Sequence, residues 1–70
     1  MAISYNKLWK LLIDRKMSKV ELREKAKIAP NTMTRLNRDE QVTLTVLNKI
    51  CSALDVGIGD IMEFLPDDQD

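Results

Sequence analysis

Three polar side chains between residues 31 and 35 have the types and spacing to make directed hydrogen bonds from one surface. Asn31, Thr34 and Arg35 recur at intervals of three and four, which places them on one face of a helix. An arginine guanidinium presents a fork of donors, and an asparagine amide presents a donor beside an acceptor. Such groups can pair with the edges of nucleic-acid bases, arginine with guanine and asparagine with adenine. Met33 and Leu36 fall on the opposite face, where they can brace the helix against a core.

Charge is distributed unevenly along the chain, although the formal net charge is zero. Residues 1–38 contain ten basic and three acidic side chains, a net charge of +7. Residues 39–70 contain one basic and eight acidic side chains, a net charge of −7. This asymmetry predicts a polyanionic partner for the first part, with the acidic part turned away from it. The alternative is a dipolar domain whose charges are simply solvated.

The composition excludes most enzymatic chemistry. The 70 residues include no histidine, which removes the usual general base and the commonest metal ligand. Cys51 is the single cysteine, so one chain can form neither an internal disulfide nor a cysteine-based zinc site, and we expect Cys51 to be a small apolar core residue. Gly57-Ile58-Gly59 follows no predicted strand, as a dinucleotide-binding loop would require. We therefore expect no enzyme activity, no catalytic residue, no metal, no cofactor and no small-molecule substrate.

Hydropathy gives no signal for export or membrane insertion. The longest apolar runs are three residues long, as at Leu11–Ile13, whereas a membrane span needs about 18. Residues 1–10 contain no secretory hydrophobic segment. A lone cysteine also suits a reducing compartment. We expect a cytoplasmic protein with no membrane partner.

Apolar periodicity predicts five short helices and no strand, which defines an all-α single domain over residues 1–65. The predicted helices span about residues 6–15, 18–26, 30–38, 44–54 and 58–65. Their inward positions include Leu8, Leu11, Leu12, Leu22, Ala26, Met33, Leu36, Leu47, Ile50, Cys51, Leu54, Ile61, Phe64 and Leu65, with Ile13 and Val20 as further apolar positions. Residues 66–70 form an acidic tail that we expect to be mobile. Trp9 and Met62 are assigned to the core or to a dimer interface.

Specific residues mark where these helices begin. Ser18 lies three positions before Glu21, which is the spacing of a reciprocal capping box. Pro30 suits the first position of a helix because its missing amide hydrogen is not needed there. Thr43 can cap the fourth helix and Gly57 the fifth. Two short helices joined by three or four residues, the second with polar and cationic side chains near its start, have the geometry of a helix-turn-helix.

In their order, these signals resemble the Cro/CI (XRE-type) helix-turn-helix family of phage and bacterial DNA-binding regulators over about residues 6–66. Three motifs carry the resemblance in register: the capping box, the phrase I-x-x-x-T-M-x-R-L at residues 28–36, and TLTVLNKICSALDV at residues 43–56. The resemblance implies a compact five-helix domain of the phage-repressor type. It further implies a sequence-specific transcriptional regulator, a repressor that binds a roughly palindromic operator as a homodimer. Lys27 stands where the family often has glycine in the turn. A left-handed lysine costs about 1 kcal/mol or more, so we expect the turn to be either strained or differently shaped.

Positions that match the family motif supply the expected DNA contacts, on double-stranded DNA. Base contacts are expected from Pro30, Asn31, Thr34 and Arg35. Phosphate contacts are expected at matching positions from Lys19, Asn37 and Arg38, and, independently of the family, from Ser18 at a helix start and from the charge of Lys7. Pro30 has no side-chain donor, so it can make only apolar contact, as with a thymine methyl group.

A homodimer surface is expected on the predicted last helix, where Ile58, Met62 and Phe64 supply apolar area in acidic surroundings. Within the DNA-binding class, a phage or mobile-element repressor and an antitoxin-like autoregulator both fit the sequence. The alternative from another class is a protein-interaction module, or an antitoxin-like partner protein, on the same fold. Zero net charge, Lys27 and Pro30 favour that alternative.

Overall fold

Four α-helices and a two-stranded antiparallel sheet form the fold in the computed structural model, which describes residues 2–66. The elements in order are β1 (Ala2–Ser4), α1 (Asn6–Asp14), α2 (Lys19–Ala26), α3 (Pro30–Asn37), α4 (Leu44–Leu54), a 3₁₀ helix (Ile58–Asp60) and β2 (Glu63–Leu65). The mostly helical character is confirmed, and the first four helices lie within a residue or so of their predicted bounds. The acidic tail is expected over residues 66–70. Only Pro66 belongs to the described residues, and residues 67–70 lie outside them.

The prediction that the chain has no strands is wrong. β1 and β2 pair antiparallel, with Ala2 opposite Leu65, Ile3 opposite Phe64 and Ser4 opposite Glu63. Each strand has only three residues, which is too short for an alternating pattern to stand out. The backbone partners of each strand also lie at the other end of the sequence. Local periodicity could not reveal this pairing.

The predicted fifth helix over residues 58–65 is also wrong. A single 3₁₀ turn occupies Ile58–Asp60, with the Gly57 amide donating to Asp60 Oδ2 at 3.1 Å, and the chain then becomes β2. Ile61 is fully buried, but Phe64 and Leu65 are exposed instead of buried. Backbone bonds to β1 replace the helical bonds that the periodic pattern predicted.

Two predicted caps position the central helices. Ser18 Oγ accepts a hydrogen bond from the Glu21 amide at 3.1 Å, and Glu21 Oε1 accepts from the Ser18 amide at 2.9 Å. Thr43 Oγ1 accepts from the Val46 amide at 3.2 Å at the start of α4. Pro30 is the first residue of α3, with Ala29 in the cap position. These helix starts are confirmed, and each removes an unpaired amide from a helix end.

A single apolar core joins all four helices. Its buried members are Tyr5, Leu8, Leu12, Leu22, Ala26, Ile28, Met33, Leu36, Leu47, Ile50, Leu54 and Ile61. Cys51 is half-buried beside this core, and burial together with the nearby Asp60 carboxylate raises the pKa of its thiol. Ile13 and Val20 do not belong to the core, because both side chains are exposed.

Tyr5 ties the loop after α3 to the sheet. Its hydroxyl donates to the Glu40 carbonyl at 2.8 Å, and its amide donates to Asp39 Oδ1 at 3.1 Å. The side chain is 1% exposed, and this burial, with the Asp39 charge, raises its pKa. The tyrosine thus fixes the end of α3 relative to the first strand.

Candidate nucleic-acid interface

A tight turn of three residues sets the position of α3 relative to α2. Lys27 adopts the left-handed conformation, with φ 57° and ψ 50°, which is the strained alternative of the two expected for this turn. The amides of Lys27 and Ile28 both donate to the Arg23 carbonyl, which closes the end of α2. Ile28 is buried and anchors the turn in the core. Arg23 is half-buried beside the turn.

Helix α3 presents a polar face to solvent and an apolar face to the core. Met33 and Leu36 are buried beneath it. The exposed side carries Pro30, Asn31, Thr34 and Arg35, which we call the reading face. At 100° per residue these four positions occupy one continuous sector opposite the buried pair. The structure therefore brings together all four residues expected to contact bases.

Thr34 differs from its neighbours because its hydroxyl proton is already used. Thr34 Oγ1 donates to the Pro30 carbonyl at 3.2 Å, one turn back along the same helix. Its oxygen can still accept a hydrogen bond, and its methyl group can make apolar contact. Asn31 and Arg35 carry forked groups, of the kind that can distinguish one base from another.

Lys19 and Asn37 lie together although 18 positions separate them in the sequence. Lys19 Nζ donates to Asn37 Oδ1 at 2.8 Å, which links the start of α2 to the end of α3. Ser18 precedes Lys19 and uses its hydroxyl oxygen as the cap, so its hydroxyl proton remains to be donated. Arg38 is exposed immediately after α3. Ser18 and Lys19 therefore lie at the start of α2, and Asn37 and Arg38 lie at the end of α3.

Lys7 lies elsewhere. Its Nζ donates to the Gly59 carbonyl at 3.3 Å and lies 4.0 Å from Glu63 Oε1. These partners belong to the 3₁₀ helix and to β2. The structure does not bring Lys7 together with Ser18, Lys19, Asn37 and Arg38.

Trp9 is the residue at this site that sequence reasoning missed. Lys19 Nζ lies over the indole ring, 4.2 Å from its centroid, so Trp9 shares the contact between Lys19 and Asn37. The ring is half-buried and packs against the core, as expected for this position. Helical spacing reports only which face of a helix is apolar. It carries no signal that a lysine of the next helix lies over the ring.

A second exposed surface is apolar. A groove of about 540 Å³ is lined mainly by Ile3, Leu44, Leu47, Ile58, Met62 and Phe64, and we call it the apolar groove. The three residues expected at a dimer interface, Ile58, Met62 and Phe64, all line it. The supporting elements are the sheet and the 3₁₀ helix instead of a fifth α-helix.

Within residues 2–66, no group of three potential ligand side chains lies close enough to hold a metal ion. The same residues contain no helix that is both long and apolar enough to cross a membrane.

Comparison with known proteins identifies the class that this fold and site define. Residues 7–67 match the Cro/C1-type helix-turn-helix DNA-binding domain, and the chain belongs to that family. Its structure is similar to the crystal structure of the transcriptional regulator VanUg, with a TM-score of 0.90 and 53% sequence identity. The match covers 94% of this chain and 88% of that chain. A search of curated protein sequences finds no significant match.

Proposed function

We propose that this protein is a sequence-specific transcriptional regulator, a repressor that binds a roughly palindromic operator as a homodimer in the cytoplasm. The observation that carries the proposal is the reading face, where Asn31 and Arg35 are exposed above a buried Met33 and Leu36. The family supports DNA as the ligand, and the similarity to a transcriptional regulator supports a role in gene control.

The dimensions of α3 support insertion into the major groove. The eight residues form an α-helix whose diameter with side chains is about 10–12 Å, which is close to the groove width of about 12 Å. In this arrangement Asn31 and Arg35 contact base edges, Thr34 accepts a hydrogen bond or touches a methyl group, and Pro30 makes apolar contact. Arg35 with guanine and Asn31 with adenine each supply roughly 1–3 kcal/mol of discrimination.

Phosphate contacts hold the two helices in place on either side of the reading face. Lys19 and Ser18 approach the backbone from the start of α2, and Asn37 and Arg38 approach it from the end of α3. Helix starts favour phosphate because their first amides point outward without a partner in the helix. Lys7 is not included, because Gly59 and Glu63 hold its ammonium group at another part of the domain.

Two copies are proposed because one reading helix covers only a few base pairs. A symmetric dimer places two reading helices in major-groove segments about 34 Å apart. The apolar groove is the proposed dimer surface, since Leu44, Ile58 and Phe64 expose apolar side chains around it. Burying them against a second copy removes that area from water.

The test is selection of bound sequences from a randomised duplex pool by the wild type and by an Asn31→Ala/Arg35→Ala variant. The matched control is Asn48→Ala/Lys49→Ala, which removes an amide and a positive charge from exposed positions on α4. We expect the wild type and the control to enrich one motif with two half-sites. The reading-face variant should enrich none. Failure of the wild type to enrich any motif at low salt would contradict the proposal.

Salt dependence distinguishes this proposal from a protein-interaction module, the alternative that the apolar groove favours. A protein that neutralises about four phosphates per half-site loses affinity with a log-log slope near −3.6 per half-site, at about −0.9 per phosphate. A module that uses only the apolar groove shows no such slope with duplex DNA. If that is observed, the partner to seek is a protein.

A further inference from the structure

Trp9, Lys19 and Asn37 meet where three helices converge, and we call them the lysine cluster. Trp9 belongs to α1, Lys19 is the first residue of α2, and Asn37 is the last residue of α3. The ammonium group lies 4.2 Å from the centre of the indole ring and 2.8 Å from the asparagine oxygen. Only the packing of the three helices brings these groups together.

The cluster fixes a side chain that is otherwise among the most flexible. A lysine head group sits on a four-carbon stem and samples many rotamers when it is free. The half-buried indole supplies a fixed platform beneath Lys19, while Asn37 holds the ammonium from one side. An ammonium group has three donors. With one directed to Asn37 and one facing the ring, a third remains for a ligand from solvent.

Both partners of Lys19 in the cluster are neutral, and this preserves its positive charge for a polyanion. Lys7 provides the contrast, because the Glu63 carboxylate lies 4.0 Å from its ammonium group. A carboxylate partner cancels much of the field that a phosphate would feel. An aromatic face and an amide oxygen orient a cation without cancelling its charge.

We infer that Trp9 is a positioning residue for DNA binding, which together with Asn37 holds the Lys19 ammonium ready for a phosphate before the duplex arrives. This inference rests on the proposed function. Because the lysine is already ordered, it loses less conformational freedom when the phosphate binds. Trp9 therefore strengthens binding without touching DNA.

The test measures affinity for a 30-base-pair duplex of mixed sequence, since phosphate contacts form on any duplex. The variants are Trp9→Leu, Lys19→Ala and both together, each titrated at several salt concentrations. Trp9→Leu should weaken binding about two- to five-fold, the range expected for loss of an exposed cation–π contact. Its salt slope should be unchanged because no charge is lost. Lys19→Ala should lower the slope by about 0.9.

Coupling between the two positions is the decisive readout. In the Lys19→Ala background, Trp9→Leu should have no further effect on affinity, because the side chain that it positions is gone. Trp9→Phe retains an aromatic face and should recover most of the affinity. A Trp9→Leu loss that persists without Lys19, or no loss at all, would overturn the inference.

Controls separate positioning from folding and from the proposed function. Leu11→Ala alters another half-buried side chain of α1 and should leave DNA affinity unchanged in the folded protein. If Trp9→Leu does not fold by circular dichroism, Trp9→Met replaces it, because a flexible, unbranched side chain can fill the space beside the core while the aromatic face is still removed. Duplex binding without coupling contradicts only this inference. Absence of duplex binding by the wild type contradicts both proposals.

Discussion

The reading face carries a proline, two hydrogen-bonding side chains and a guanidinium group, whereas the apolar groove is surrounded by exposed leucine, isoleucine and phenylalanine. Exposure of polar side chains to water costs the folded state little. Each large apolar side chain that stays exposed lacks the stabilisation of about 1.5–3 kcal/mol that its burial would supply. A domain of 70 residues has a thin margin of stability. The contrast is consistent with the proposal of two partners of different chemistry, a polyanion at the reading face and a second copy of the chain at the apolar groove.

The largest expected effect comes from placing a charge in the apolar groove. Leu44→Glu should dissociate the proposed dimer, raising its dissociation constant more than about 100-fold, because two leucine contacts are lost per symmetric interface. Leu44 is 78% exposed and is the first residue of α4, where a carboxylate is compatible with the helix. Sedimentation equilibrium measures the change.

Ile13→Glu is the matched control for this variant. Ile13 is 74% exposed on α1 and does not line the apolar groove. Its substitution should leave the oligomeric state as in the wild type. Equal dissociation by both variants, or a dimer that survives Leu44→Glu, would count against the groove as the interface.

A charge-preserving change sharpens the other side of the comparison. Arg35→Lys keeps the positive charge but loses the fork, so it should reduce affinity for the selected operator by roughly 1–3 kcal/mol. Affinity for a duplex of mixed sequence should change little. Lys49→Arg on α4 is the control and should alter neither affinity. If Arg35→Lys weakens both duplexes equally, Arg35 contacts phosphate instead of a base.

Two helix caps with the same local role distinguish the DNA-binding region from the rest of the fold. Ser18→Ala and Thr43→Ala each remove a hydroxyl oxygen that accepts a hydrogen bond from a backbone amide at a helix start. Each substitution should lower the free energy of unfolding by about 1 kcal/mol. Only Ser18→Ala should also weaken duplex binding. Urea unfolding and titration with DNA measure the two effects. Equal DNA affinities for the two variants would contradict the proposal that Ser18 contacts DNA.

The smallest expected effect concerns the turn between α2 and α3. Within residues 2–66, Lys16, Lys27, Asp39 and Asp55 all have φ between 55° and 57°, a region that glycine adopts without strain. Lys27→Gly should raise the free energy of unfolding by about 0.5 kcal/mol, since relief of strain exceeds the added freedom of the unfolded chain. Lys25→Gly inside α2 should lower it by up to about 1 kcal/mol. Stabilities that change in the same direction would refute this account of the turn.

Sequence reasoning succeeded where the cause of a structure lies within a few residues. Ser18 with Glu21, Pro30 and Thr43 define helix starts through contacts that span no more than three positions. The polar face of α3 follows from the same short-range geometry. This is why the helix-turn-helix and its reading face could be predicted from the sequence.

Sequence reasoning failed where the cause lies far along the chain. β1 and β2 are held by pairing across nearly the whole sequence, and Phe64 is exposed because strand bonds replaced a helix. Tyr5 packs against the loop after α3 through contacts that span 34 and 35 positions. The contact between Trp9 and Lys19 likewise depends on how α1 and α2 pack. Local periodicity contains no information about such distant partners.

The pairing of β1 with β2 also determines the order in which the molecule can be completed during synthesis. The two strands close a loop of about 60 residues, which costs roughly 3–4 kcal/mol of chain entropy. On the ribosome, α2 and α3 emerge before β2 exists, so the reading helix can pack before that loop closes. The apolar groove needs Phe64 and is finished last. In the proposed dimer, a second copy can therefore dock only on a chain whose helix-turn-helix has already been synthesised.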